Sequence, residues 1–104
     1  MKKITYQISI YPGFGKTEKE TVTGYQVSPY LAVRVGTFTV DHLPTGMRLM
    51  NNSRTLRGAV AYAKKLQEIC GDRLSITDTQ SEEYTDLLEL VREHRGELEA
   101  LRGV

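Results

Sequence analysis

Ile4, Tyr6, Ile8 and Ile10 alternate with Thr5, Gln7 and Ser9. Strict period two reads as a half-buried strand, because successive side chains of an extended chain point to opposite faces. Pro12-Gly13-Phe14-Gly15 ends it, since proline and glycine supply turn dihedrals. After a charged stretch from Lys16 to Glu20, the β-branched and aromatic run Thr21–Val27 predicts the return strand of a long hairpin, with Gly24 as an unusual interior residue. Leu31, Val33 and Val35 alternate again, and the parity shifts at Gly36 to Phe38 and Val40. The shift predicts a β-bulge inside one strand, with a tight turn at Val35-Gly36 as the competing reading. Leu43-Pro44-Thr45-Gly46 is a turn signal, and Met47–Met50 returns as a short strand.

The period then changes. Asn52 and Ser53 suit a helix N-cap. Leu56, Ala59, Val60, Ala63, Leu66, Ile69 and Cys70 follow at helical spacing, and Gly71 stands where a terminating glycine belongs. Leu74-Ser75-Ile76 fits either an extra strand or an extended connector. Thr79 and Glu82 form a capping-box pattern ahead of a last helix. That helix carries Tyr84, Leu87, Leu88, Val91, His94, Leu98 and Leu101, and Gly96 predicts a kink or an end near His94. The expected fold is a single α+β domain over 1–104. An antiparallel sheet of four strands, or five with Leu74–Ile76, spans 3–50. A helix at 53–70 packs on one face, and an amphipathic acidic helix occupies 80–102.

The chain length of 104 residues suits one core. Apolar residues at 39% and charged residues at 26% exclude a disordered chain. No apolar run approaches the ~18 residues of a membrane span, and the polar interruptions after Lys2-Lys3 argue against a signal peptide. With Cys70 as the lone cysteine there is no intrachain disulfide. The expected location is the cytoplasm, of a bacterial cell, with no membrane partner. Net charge is +1, which hides an asymmetry. Residues 78–104 hold eight acids against three arginines, net −5, and residues 1–77 hold eleven basic residues against five acids, net +6.

Catalytic constellations are weak. Gly13-Phe14-Gly15-Lys16-Thr17 resembles the end of a phosphate-binding loop, but Ile10 stands where the first glycine belongs and a strand follows instead of a helix. One cysteine and two distant histidines, His42 and His94, do not supply a metal's ligand set. His42 is expected to flank the Pro44 turn. Cys70 sits at the helix C-terminus, where the dipole raises a thiol pKa, so a structural buried thiol is expected. The reading is a non-enzyme with no catalytic residues, metal or cofactor.

Charge supplies the candidates for binding. Lys16 and Lys19 on the hairpin, with Arg54, Arg57, Lys64 and Lys65 near one face of the first helix, are expected to contact phosphates of nucleic acid. The last helix carries like charges at Glu82–Asp86, Glu89–Glu93 and Glu93–Glu97, so it would gain from basic neighbours. The plainest arrangement packs it on the sheet with its acids facing the basic body. The sharper readings are a homodimer through the seam Tyr84, Leu87, Val91, His94, Leu98 and Leu101, or an acidic surface for a basic protein partner.

The stretch Phe38-Thr39-Val40-Asp41-His42-Leu43-Pro44-Thr45-Gly46-Met47, followed by Ser53-Arg54-Thr55-Leu56 and the alanine-rich helix, resembles small accessory domains carried by bacterial phages and mobile elements. Gly71-Asp72-Arg73-Leu74-Ser75-Ile76-Thr77-Asp78 fits the same pattern, and the likeness covers about residues 30–80. The resemblance implies an accessory protein without enzymatic activity and carries no site. The function expected is therefore a non-enzymatic accessory binding protein associating with nucleic acid through a basic face. The alternative is a protein-interaction module, as inhibitor, adaptor or homodimer, acting through the acidic helix.

Overall fold

A computed structural model describes residues 1–13 and 15–104, with Pro12 described by its backbone alone. Strands β1 (Lys2–Gly13), β2 (Lys16–Ser28), β3 (Leu31–Arg34), β4 (Val40–His42) and β5 (Arg48–Met50) form one antiparallel sheet in sequence order. Helix α1 (Leu56–Cys70) follows, then a 3₁₀ segment (Gly71–Ser75), α2 (Glu82–Glu93) and α3 (Arg95–Arg102). The fold class is α+β, as the order of periods predicts.

The five strands arise differently from the expectation. The parity change at Gly36 is a turn, not a bulge: β3 stops at Arg34, and Val33 pairs with Val40 across a hairpin. Gly36 at φ 95° and Phe38 at φ 52° turn the chain, and the Arg34 N–H bonds the Thr39 carbonyl at 2.8 Å. Val35 is 47% exposed and so could not belong to a core strand. Leu74-Ser75-Ile76 adds no strand, because Leu74 and Ser75 close the 3₁₀ segment.

The hairpin of β1 and β2 begins with Lys2 opposite Gln26 and closes with Gly13 opposite Lys16. Its outer half curls back over the sheet. The Ser9 N–H bonds the Gly46 carbonyl at 2.9 Å, although β4 and β5 lie at the other edge of the strand order. Gly24 permits this. A Cβ there would lie 2.4 Å from the Val33 carbonyl oxygen and 3.0 Å from the Tyr6 ring. A side chain at that position would push β2 off β3 just where the hairpin crosses it.

Helix α1 starts two residues beyond the predicted cap. Asn52 is left-handed at φ 44°, and the Ser53 hydroxyl donates to the Arg102 carbonyl at 2.8 Å. Thr55 caps instead, its Oγ1 accepting from the Gly58 N–H at 2.9 Å. Gly71 ends the helix as predicted, at φ 54°, donating to the Gln67 carbonyl. Ala59, Ala63 and Leu66 are fully buried with Leu31, Val33 and Val40 of the sheet. At about 1.5–3 kcal/mol for each large apolar side chain, this layer supplies most of the driving force.

The acidic tail is two helices, not one. Ser81 caps α2 by accepting from the Tyr84 N–H, displacing the predicted Thr79 cap, because Asp78 already turns the chain through the Gln80 and Ser81 N–H groups. The chain breaks at His94, ahead of Gly96, as predicted. The proposed dimer seam serves another purpose. Tyr84, Leu87 and Leu98 lie in the chain's own core, while Val91, His94 and Leu101 are half-buried. Tyr84, Leu87 and Leu98 are therefore covered by the chain itself and not open to a second copy, so the six residues do not form one exposed face. Among the described residues, no helix is long and apolar enough to cross a membrane.

The tight approach at Gly24 sets an expectation. Gly24→Ala should lower unfolding free energy by about 1–3 kcal/mol, the range for overpacking against unyielding backbone. Urea denaturation followed by circular dichroism measures it, with exposed Gly96→Ala as the comparison that should show no such loss.

Candidate functional site

Two adjacent residues of β4 organise the polar interior. Asp41 is fully buried and accepts three hydrogen bonds. Tyr6 Oη donates at 2.8 Å, Arg34 Nε at 3.0 Å and Arg34 Nη2 at 2.6 Å. The bidentate guanidinium supplies the charge that a buried carboxylate requires. Its hydrogen bonds to Asp41 hold the Arg34 guanidinium above its ordinary pKa, and burial followed by the bond to Asp41 pushes the Tyr6 phenol up. Through Asp41 the three groups hold β1, β3 and β4 together.

His42 is also fully buried, not merely beside a turn. Its Nε2 lies 2.6 Å from the Leu74 carbonyl, which can only accept, so Nε2 carries the proton. Nδ1 then accepts from Thr45 Oγ1 at 2.7 Å, while Thr45 Oγ1 accepts from the Met47 N–H. Burial lowers the imidazole pKa, against the opposing pull of the Leu74 carbonyl. Cys70 is buried as expected, its thiol pushed up by burial. Among the described residues no cluster of potential ligands could hold a metal.

The six predicted phosphate-binding cations fall into three places. Arg54, Arg57 and Lys64 lie exposed on or just before α1, with no ion pair among the described residues. Lys65 turns towards Glu68 at 3.5 Å and Glu97 at 4.0 Å. Lys16 and Lys19 stand towards the closed end of the hairpin, where Lys19 Nζ donates to Ser9 Oγ at 2.8 Å. The single basic face expected from the sequence is therefore not assembled. Arg57 and Lys64 instead flank a shallow apolar depression with Met1, Leu56, Val60 and Ala61, which brings the residue before β1 beside them.

The acids divide as well. On α3, Glu97 meets Lys65 and His94, and Glu99 meets Arg102 at 3.4 Å. Of these contacts only Glu97 with Lys65 joins the tail to the basic body, as the plainest arrangement required; His94 and Arg102 belong to the tail itself. On α2 the acids do not. Glu83, Asp86, Glu89 and Glu93 line one wall of a groove of about 660 Å³, and Asp72 lies on the other side in the 3₁₀ segment. None of these five carboxylates has an ion-pair partner among the described residues. Arg73 is the one cation in the lining, while half-buried Ile76 and Leu90 form an apolar base. The spacing Glu83, Asp86, Leu90 and Glu93 explains the wall, since residues three and four apart share a helix face.

Sequence reasoning identified the α2 acids as a surface but missed Asp72, Ile76 and Leu90, the rest of the groove. Asp72 belongs to a different segment, and only the fold brings it opposite α2. No family model, curated protein or solved structure matches the chain.

His42 sets a pH dependence. Its folded pKa is depressed, so below the ordinary histidine value the unfolded chain binds the proton first and stability falls. Its contribution is fully present above about pH 6.5 and is lost progressively below it. Urea midpoints measured across that range should decline for the native chain. The decline should flatten in His42→Asn, which starts less stable but has no imidazole to protonate.

Proposed function

We propose that the protein is a non-enzymatic accessory binding module whose α2 groove receives a basic segment of a protein partner. The accessory role follows the kind of phage and mobile-element domain that its turn–strand–helix pattern resembles. The observation that carries the reading is the set of five carboxylates around an apolar base that have no ion-pair partner among the described residues. Asp86 and Glu89, and Glu89 and Glu93, are neighbours on the helix face, and each such like-charge pair costs about 0.2–0.5 kcal/mol. Glu82 and Glu83 are compensated by the helix N-terminus, but Glu89 and Glu93 are not. A cationic segment would relieve that repulsion while its apolar side chains covered Ile76 and Leu90. Charge would steer the encounter and the apolar base would hold the complex.

Isothermal titration with a short amphipathic peptide carrying alternating arginine and leucine positions tests this. Binding should weaken about tenfold for Asp86→Lys with Glu89→Lys, and should weaken with added salt. Equal binding by the same peptide with glutamate in place of arginine would overturn the proposal.

A second reading keeps nucleic-acid association but moves it. Its support is that Arg54, Arg57 and Lys64 are exposed and form no ion pair among the described residues. Phosphate contacts release counterions, so affinity must fall steeply with salt. Fluorescence anisotropy with single- and double-stranded DNA and RNA at two salt concentrations should show that fall, and Arg57→Glu with Lys64→Glu should abolish binding. Binding that ignores salt, or survives the double reversal, removes this reading.

A further inference from the structure

The hairpin's outer half, where it folds back on the β4–β5 turn, leaves a cleft of about 370 Å³. Ile8, Ile10 and Met47 give it apolar surface, and Ser9, Arg34 and Arg48 give it polar surface. We infer that this cleft binds a small organic phosphate monoester, through Arg34, Arg48 and the Lys19–Ser9 pair.

Arg34 is the anchor. Its Nε and one Nη2 hydrogen are committed to Asp41, which fixes the plane of the guanidinium. The side chain is one-fifth exposed, at 20%, and it lines the cleft. Its other N–H groups are left over from the Asp41 pair, with the Tyr6 hydroxyl as a neighbour. A guanidinium already held rigid loses little freedom when it takes an anion. Arg48 lies in β5, opposite Asp41 in the register, and has no ion pair among the described residues. Lys19 lies outside the lining and is tied to it through Ser9: its Nζ donates to Ser9 Oγ at 2.8 Å, and Ser9 Oγ donates to the Thr45 carbonyl at 2.9 Å.

The ligand class follows from the donors. Asp41 neutralises Arg34, and two further cations remain, Arg48 and Lys19, which suits a dianion. Asp41, opposite Arg48 in the register, is already bonded to Arg34, while Glu18 and Glu20, opposite Ile10 and Ile8 across the hairpin, do not line the cleft. Guanidinium forks match phosphate oxygens in pairs. The volume exceeds what a bare anion needs and falls in the range of small-ligand sites. The apolar side chains, with the Tyr11 ring exposed at the rim, offer contact to the organic part. The same chemistry fits a nucleotide or a phosphorylated side chain.

Nitrogen-edited NMR titration of the full chain with adenosine monophosphate, phosphotyrosine and inorganic phosphate tests the site. At least one monoester should shift the amides of Ser9, Gly46 and Arg48 saturably, and the tighter of the two identifies the source. Arg48→Ala and Lys19→Ala, both exposed, should each weaken binding by about tenfold, the loss expected for a charged hydrogen bond, and Arg48→Lys should recover part of it. Arg57→Ala, on α1, should change nothing. Absence of saturable shifts, or affinity indifferent to Arg48 and Lys19, would overturn the inference. Inorganic phosphate binding as tightly as the esters would overturn the monoester assignment. The α2 groove shares no residue with this cleft, so neither result bears on the peptide reading.

Discussion

The buried Asp41 carboxylate is the constraint on which the architecture depends. A charge with no exposed surface must be matched, and the match is drawn from two other strands, Arg34 of β3 and Tyr6 of β1. Removing one member of such a pair leaves an uncompensated charge, at a cost of about 3–5 kcal/mol. The ladder joining the long hairpin to the rest of the sheet is short, the β2–β3 pairing from Gly24 to Ser28. Tyr6 therefore does more than fill space: its hydroxyl fastens the curled hairpin to the centre of the sheet, and Ser9 completes the closure at Thr45 and Gly46. The neighbouring residue fastens the other side. His42 reaches the Leu74 carbonyl and so ties β4 to the 3₁₀ segment that leads into α2. Successive residues of one short strand point to opposite faces, which is why Asp41 serves the hairpin while His42 serves the helical layer.

Much of this was legible in the sequence, and the gaps have physical reasons. Period two in Ile4–Ile10 and helical spacing in Leu56–Cys70 report one buried face each, so the elements could be read from local pattern alone. Gly36 was read as a bulge because a parity shift is the same in a bulge and in a hairpin turn; only the pairing of Val33 with Val40 separates them. Ser53 looked like a cap and is instead bound to Arg102, 49 residues away. The seam of α2 and α3 had the spacing of a partner face, but apolar spacing on a helix does not say whether the covering surface belongs to the same chain. Here it does, for Tyr84, Leu87 and Leu98. The candidate sites were the least legible, because Asp72 faces α2, and Arg34 and Arg48 share a cleft with Ser9, only through the fold.

Segregation of charge along the polypeptide also proved a poor guide to segregation in space. The eleven basic residues of 1–77 do not act together. Arg34 is bound to Asp41, Lys65 to Glu68 and Glu97, and Lys19 to Ser9. On α1, Arg57 and Lys64 form a short stripe beside an apolar depression, with no ion pair among the described residues. The acids show the same sorting more clearly. Those of α3 sit against α1 and are partnered by it or by their own helix.

The contrast between α2 and α3 is the strongest argument that the groove has a use. Both helices are acidic, both are amphipathic, and both bury their apolar residues in the same core. If acidity served only solubility, there would be no reason for one helix to have its carboxylates partnered and the other to concentrate them around Ile76 and Leu90. Internal packing explains α3, since Glu97 and Glu99 have cations within reach. It does not explain Glu89 and Glu93, which lie beyond the first turn of α2, where the helix dipole gives acids no support. Arg92, beside Glu89 and Glu93 at the end of α2, offsets part of that repulsion, and among the described residues none of the groove's carboxylates forms an ion pair, so a cationic partner would turn the remaining repulsion into attraction.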